Sequence, residues 1–232
     1  MKTTFLLFIL SIFFSINLEA QKDSTNENVQ SLIFFNLGVQ LTDYENLNLL
    51  LSENSYSTIN NTNFSFGGGQ LNLVPKMRIA LMENIFYYEQ TSTSQTINTK
   101  LTGTGLGFGI GYILLNKPKL KLIPYGGAAV NWINLNMFNT IPNGTTLSNY
   151  LISSTNNYQI KGTSYLFDLG IIGSSFISID KETNDKMMID FKAGYYIPIT
   201  NAELAFQKTK LSETPKINPG GFYVGLTFGF SQ

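Results

Sequence analysis

Four charged side chains stand where strand alternation would carry them into a sheet's interior: Arg78, Asp168, Asp190 and Lys192. Carboxylates near a lysine and an arginine can form an ion pair, tune a proton-transfer group or line a polar channel, so their setting decides their chemistry. The residues that would make such a cluster catalytic are missing from the sequence. It contains no His, the usual general base of triads and zinc sites, and no Cys, which removes thiolate nucleophiles, disulfides and sulfur-ligated metals. The other chemical suggestion is a glycine row, Gly103, Gly105, Gly107, Gly109 and Gly111. A phosphate-cradling loop would read Gly-x-Gly-x-x-Gly and lead into a helix, whereas this row alternates strictly and no helical pattern follows. No catalytic, metal or cofactor-binding residue is assigned, no cofactor is expected, and the four charges are read as a structural cluster.

The elements that would position these residues are strands. Phe222, Val224, Leu226, Phe228 and Phe230 share one face, and Tyr223, Gly225, Thr227, Gly229 and Ser231 share the other. Ile33, Phe35, Leu37, Val39 and Leu41 oppose Asn36, Gly38 and Gln40 in the same way. So do Tyr165, Phe167, Leu169 and Ile171 against Asp168 and Gly170, and Ile189, Phe191, Ala193, Tyr195 and Ile197 against Asp190, Lys192 and Gly194. The glycine row opposes Thr104, Leu106, Phe108, Ile110 and Tyr112. Glycine weakens a strand interior unless room is needed, which suits a narrow barrel lumen where bulky groups arrive from the opposite wall. Further strands are expected at about 63–73, 76–87 and 119–132; the facing of the last is ambiguous, because Ile123 and Tyr125 compete with Leu122 and Val130. Glu83 falls on the apolar parity of Ile79 and Leu81, which predicts a bulge or a rim position.

Residues 1–20 read as a secretory signal peptide, with Lys2 as the positive n-region, Phe5 to Ile16 as the apolar run and Ala20 at the cleavage point. A mature N-terminal segment, 21–30, and a barrel domain, 31–232, follow. No Cys follows the cleavage point, so a lipid anchor is not expected. The sequence carries 15 basic and 15 acidic residues, and removing Lys2 with Glu19 leaves fourteen of each. That balance offers no electrostatic case for nucleic acid. Beyond the signal peptide no segment approaches the roughly 20 apolar residues that a helical span needs.

Connection lengths separate a barrel from a sandwich. The even-to-odd connections are short: Val74-Pro75, Asn116 to Lys119 and Asp180 to Lys186. The odd-to-even connections, about 42–62, 88–100, 133–159 and 200–219, are long and rich in Asn, Ser and Thr. Outer-membrane barrels alternate tight periplasmic turns with long external loops in this way. Tyr87, Tyr88, Tyr158, Tyr165, Tyr195, Tyr196 and Tyr223, with Trp132, fall near the expected outer strand ends, where aromatic belts sit. The expected fold is all-β: a closed antiparallel up-and-down transmembrane barrel of about eight strands. One short helix fits the first external loop, with Asp43 as its cap and Leu47, Leu50 and Leu51 on one face; it would lean on the rim, plug the mouth or hold a partner.

With these patterns, Ser65-Phe66-Gly67-Gly68-Gly69 and the ending Gly221 to Phe230, the chain resembles the small outer-membrane barrels of OmpA and OmpX type over roughly residues 31–232. The resemblance implies an outer-membrane location in a Gram-negative cell, contact with outer-membrane lipid, and a last strand read by the barrel-assembly machinery. Phe230 fits that last-strand pattern, whereas Ser231-Gln232 depart from it. The leading functional reading is a non-enzymatic barrel with a structural, adhesive or loop-mediated binding role. A wide pore is not expected, since eight-stranded barrels are normally filled by side chains. The alternative is a component of an envelope secretion or assembly complex with an envelope protein partner; an outer-membrane enzyme or a soluble periplasmic protein fits less well. Within the lumen, Arg78 is expected to bridge to Asp190 near the periplasmic end, with Lys192 nearby and Asp168 nearer the outer end.

Overall fold

The computed structural model describes residues 29–93, 97–139, 158–178, 186–202, 205–206, 209–210 and 217–231. The expected signal peptide, most of segment 21–30 and the Asp180–Lys186 turn, apart from its last residue, lie outside them. Eight long strands follow the alternation: β1 (Gln30–Leu41), β2 (Thr62–Val74), β3 (Ile79–Thr93), β4 (Ile97–Tyr112), β5 (Leu120–Asn139), β6 (Tyr158–Ser178), β7 (Lys186–Pro198) and β8 (Gly221–Ser231). Each pairs antiparallel with its sequence neighbour, and β8 returns to pair with β1, where Phe35 faces Phe228 and Val39 faces Val224. The sheet therefore closes on itself, which leaves no long edge unpaired. Three short strands, Leu115–Lys117, Ala205–Phe206 and Thr209–Lys210, extend it locally.

Several strand limits differ from the sequence reading. Pro75 has no N–H to give to a ladder, so β2 ends before it and a four-residue turn follows. In that turn Arg78 adopts a left-handed φ of 57°, and its N–H donates to the Pro75 carbonyl at 3.2 Å. At the other end β3 and β4 continue through the expected 88–100 loop, in register to Thr93–Asn98 and tied by a Glu89–Lys100 ion pair at 2.6 Å. Their Thr-rich composition reads as loop, but β-branched residues also sustain a ladder. β5 and β6 likewise run to Asn139 and from Tyr158, through the edges of the expected 133–159 loop. The register through Glu83 is unbroken, so the expected bulge is absent.

Faces follow the expected parity. Ile33, Phe35, Leu37, Phe108, Ile110, Phe167, Leu169, Phe191 and Leu226 are exposed on the outside, while Leu32, Phe34, Leu71, Leu73, Met82 and Ile172 are buried inside. On β5 the odd residues turn inward, so Ile123 and Tyr125 are buried and Trp132 faces out. The glycine row does line the lumen, but the room it leaves is for the neighbouring strand rather than the opposite wall. Tyr88 lies over Gly103, Phe86 over Gly105 and Asn84 over Gly107, each its registered partner on β3.

The interior is filled in three layers. An inner apolar cluster gathers Leu32, Leu71, Leu73, Ile113, Ile123 and Met188. An outer cluster gathers Tyr88, Leu101, Ile133, Leu135 and Leu166, and a helix in the first external loop joins it. Polar side chains occupy the band between. The helix α1 (Glu45–Glu53) buries Leu47 and Leu51 in the outer cluster, a burial that stabilises by roughly 1.5–3 kcal/mol per leucine. Leu50, expected on the same face, is instead 40% exposed. Asp43 accepts the Glu45 N–H at 2.9 Å. Asn48 clamps the returning chain twice, donating to the Ile59 carbonyl at 2.8 Å and accepting its N–H at 2.7 Å. Burial raises the pKa of the Tyr44 hydroxyl well above the ordinary tyrosine range, so it stays protonated beside Asn63. The helix is thus a plug seated in the outer mouth.

Candidate functional site

The polar middle of the lumen is built on one rung of the sheet. Tyr125 on β5 pairs with Gly170 on β6, Gly170 with Gly194 on β7, and Gly194 with Tyr223 on β8. The two glycines leave the wall flat between the tyrosines. A Cβ at Gly170 would stand 2.6 Å from the Tyr125 hydroxyl, and one at Gly194 would stand 2.6 Å from Cζ of Tyr223. Both rings therefore lie over glycine and their hydroxyls meet each other.

Asp168, one inward position further out on β6, takes both hydroxyls on its Oδ1: Tyr125 donates at 3.3 Å, and Tyr223 donates to the same atom. Its Oδ2 pairs with Lys192 Nζ at 3.5 Å. The lysine lies over both rings, 4.8 Å from the Tyr125 centroid and 5.1 Å from that of Tyr223. Ammonium, carboxylate and two phenols thus satisfy one another in a buried site, as desolvated charges require. Tyr196 packs tilted against Tyr223 with centroids 4.5 Å apart and stacks on Phe86 at 5.9 Å, which joins the group to β3.

A second rung below it carries Ser174, Asp190, Thr227 and Asn36 on β6, β7, β8 and β1. All but Asn36 are buried, Ser174 is the registered partner of Asp190, and among the described residues Asn36 Oδ1 has no hydrogen-bond partner. A cavity of about 30 Å³ adjoins Asn36, Asn84, Lys192 and Thr227, room for two or three waters at roughly 10–15 Å³ each.

Of the four charges singled out from the sequence, three point into the lumen and two of those pair. Arg78 is the correction. It occupies the exposed left-handed position of the β2–β3 turn and donates to the Tyr112 hydroxyl at 3.4 Å, on the outside of the wall. It is therefore not the partner of Asp190. Sequence reasoning missed the roles of Tyr125, Tyr223, Gly170 and Gly194. Parity did place Tyr223 with Gly225 and Thr227 on the inward face, yet nearness to a strand end suggested the aromatic belt. Tyr88, Tyr196 and Tyr223 are buried inside, whereas Tyr158, Tyr165, Tyr195 and Trp132 do face out.

A closed antiparallel eight-stranded barrel with an apolar exterior and a filled interior defines the class: a small β-barrel of the outer-membrane type, the one sheet architecture that leaves no backbone group unpaired in hydrocarbon. Its apolar outer face suits hydrocarbon rather than water. No protein-family model and no curated protein matches the chain. Among solved structures it is similar to Ail, the attachment invasion locus protein of Yersinia pestis, at 9% identity and a TM-score of 0.44, over 89% of this chain and 98% of that one. It is also similar to Neisserial surface protein A, at 11% identity and a TM-score of 0.40, over 88% and 95%. A third likeness is to the outer membrane protease OmpT of Escherichia coli, at 10% identity and a TM-score of 0.34, over 89% and 96%. These likenesses are of general architecture and carry nothing about role.

Proposed function

We propose that this chain is a structural or surface-binding barrel that engages its surroundings through its outer loops and hairpins, and that it neither conducts nor catalyses. The observation that carries this reading is the sealed interior: two apolar layers enclose the tyrosine–aspartate–lysine group, and α1 is seated in the outer mouth. What remains to meet a partner is the outer end, where the β3–β4 hairpin and the helix-bearing loop stand clear of the belt. The lumen carboxylate Asp168 is committed to Lys192 and two tyrosines, and a chain without His or Cys lacks the usual activating base or thiolate.

The test compares vesicles carrying the full chain with vesicles carrying a variant whose 42–61 loop and β3–β4 tip are replaced by short turns. Adhesion to a panel of glycans, matrix proteins and abiotic surfaces should fall in the variant, while its heat-modifiable gel mobility is kept. Equal adhesion across the panel would remove the binding role. Sustained single-channel conductance of the full chain in planar bilayers would remove the sealed lumen.

A further inference from the structure

The margins of the apolar wall can be placed from the register. The Tyr87–Thr104 rung, just below the Glu89–Lys100 ion pair, marks the outer boundary. The Ile79–Tyr112 rung, beside exposed Arg78, marks the inner one. Ile79 and Tyr87 are eight residues apart on β3. At about 3.4 Å per residue and a tilt near 40°, that is roughly 20 Å along the membrane normal, in a belt about 25 Å tall. Glu83 lies midway between them, neither at a bulge nor at a rim. Arg78 and Tyr112 stand at the depth where the headgroups of the inner leaflet begin.

Arg78 is held there at a conformational cost. Met77 N–H donates to the Val74 carbonyl at 3.1 Å and Arg78 N–H to that of Pro75 at 3.2 Å, so the turn closes tightly and Arg78 follows it at a φ of 57°. Hairpins that end a tight turn on a left-handed residue normally put glycine or asparagine there. Strain kept at one such residue points to a use for its side chain. That side chain is exposed and runs onto the outside of the wall, where it donates to the Tyr112 hydroxyl at 3.4 Å. Among the described residues this is the one hydrogen bond of its guanidinium, which leaves most of its N–H donors open.

Its surroundings are of one sign. Lys76 precedes it in the same turn, and Lys117 lies on the short strand Leu115–Lys117 that follows β4. Both are exposed, and among the described residues neither has an ion-pair partner. Residues 72–79 and 112–122, the two turns with their flanks, contain no Asp or Glu. The apolar wall continues up to these charges: Ile110, Tyr112 and Leu114 are exposed, Ile113 is buried behind them, and Met77 is exposed in the turn.

We propose that this margin binds an anionic phospholipid of the inner leaflet, a proposal that rests on the barrel's spanning the membrane. Arg78 holds the phosphate, Lys76 and Lys117 add positive charge around it, and the acyl chain lies against Leu114 and Ile110. A guanidinium fork meets two phosphate oxygens at once, and each base near an anionic surface adds attraction. A zwitterionic lipid brings its own ammonium to its phosphate, so the site prefers phosphatidylglycerol to phosphatidylcholine. A cell-wall polymer also carries negative charge, but it has no use for apolar side chains continuous with the belt.

Trp132 is the sole tryptophan, so Trp132→Phe with Leu114→Trp moves the one reporter onto the margin. This full-length chain is reconstituted into vesicles of phosphatidylcholine and phosphatidylglycerol in equal parts, with one lipid or the other dibrominated. Quenching then gives the association of each lipid at the reporter. Phosphatidylglycerol should be favoured by at least about fivefold. Arg78→Gly suits the left-handed turn, so it should keep the heat-modifiable mobility while the preference falls to about twofold or less. Equal quenching by the two lipids overturns the site, and so does a preference that Arg78→Gly leaves untouched. Binding to peptidoglycan sacculi that needs Arg78, in a chain without lipid preference, overturns it too. Quenching by neither lipid would instead overturn the spanning barrel, and the site with it.

Discussion

Tyr125 and Tyr223 lie three strands apart, yet their hydroxyls meet over Asp168 because Gly170 and Gly194 leave the wall between them flat. The contact closes a buried group in which Lys192 neutralises the carboxylate and rests on both rings. Removing one member strands another. Asp168→Ala leaves a buried ammonium without its counter-charge and should cost about 3–5 kcal/mol in urea unfolding from vesicles. Asp168→Leu combined with Lys192→Met should recover part of that loss. Full additivity of the two substitutions would show that the pair is not coupled.

The glycine row yields a contrast within one strand. A Cβ at Gly105 would clash with the Phe86 ring, 2.6 Å from two of its carbons, whereas one at Gly109 meets Met82 and Tyr125 at the ordinary distance of 3.4 Å and the Gly126 carbonyl oxygen at 3.7 Å. Gly105→Ala should destabilise by about 1–3 kcal/mol through overpacking. Gly109→Ala should be neutral or stabilise by roughly 0.4–1 kcal/mol, since alanine lowers the entropy of the unfolded chain. The order of their unfolding midpoints checks this. Equal destabilisation by the two would mean that the row serves some general need of the lumen rather than particular side chains of β3.

Much of the barrel is legible in the sequence because parity is a strong, repeated constraint: Ile33, Phe108, Phe191 and Leu226 can satisfy only one face. Strand ends were less legible, since Thr91, Thr93 and Thr99 belong equally well to a loop or to a ladder, and pairing between two such segments decides the matter. The centre of the lumen was half visible. Parity turns Asp168, Asp190 and Lys192 inward, but which of them meet depends on stagger, and stagger is set by pairing over the whole circuit. Arg78 was misplaced because a left-handed turn residue breaks the alternation used to place it. The depth of Glu83 could be read only once the rungs to Tyr112 and Tyr87 were fixed.

The outer face offers a test of depth. Phe108 and Leu226 are about half exposed on the apolar side of β4 and β8. Phe108→Lys or Leu226→Lys should each cost roughly 2–4 kcal/mol in bilayers. Thr104→Lys, four residues nearer the outer water, should cost no more than about 1 kcal/mol. Equal costs at Phe108 and Thr104 would mean that the belt is not where the register to Tyr112 and Tyr87 puts it.

The helix plug should come loose without the barrel. Leu47 and Leu51 are buried in the outer cluster, while Leu50 on the same helix is 40% exposed. Leu47→Asp places a carboxylate among the apolar side chains of Tyr44, Leu51, Ile59 and their neighbours, so the helix should leave the mouth. Closure of the barrel depends on the β1–β8 ladder and not on α1, so heat-modifiable mobility should be unchanged. Protease added outside should then cut within 45–53 far faster than in the parent, and Leu50→Asp should leave the cutting rate as it was. If Leu47→Asp also destroyed the folded mobility, the helix would be a part of the barrel's own stability rather than a separable cover.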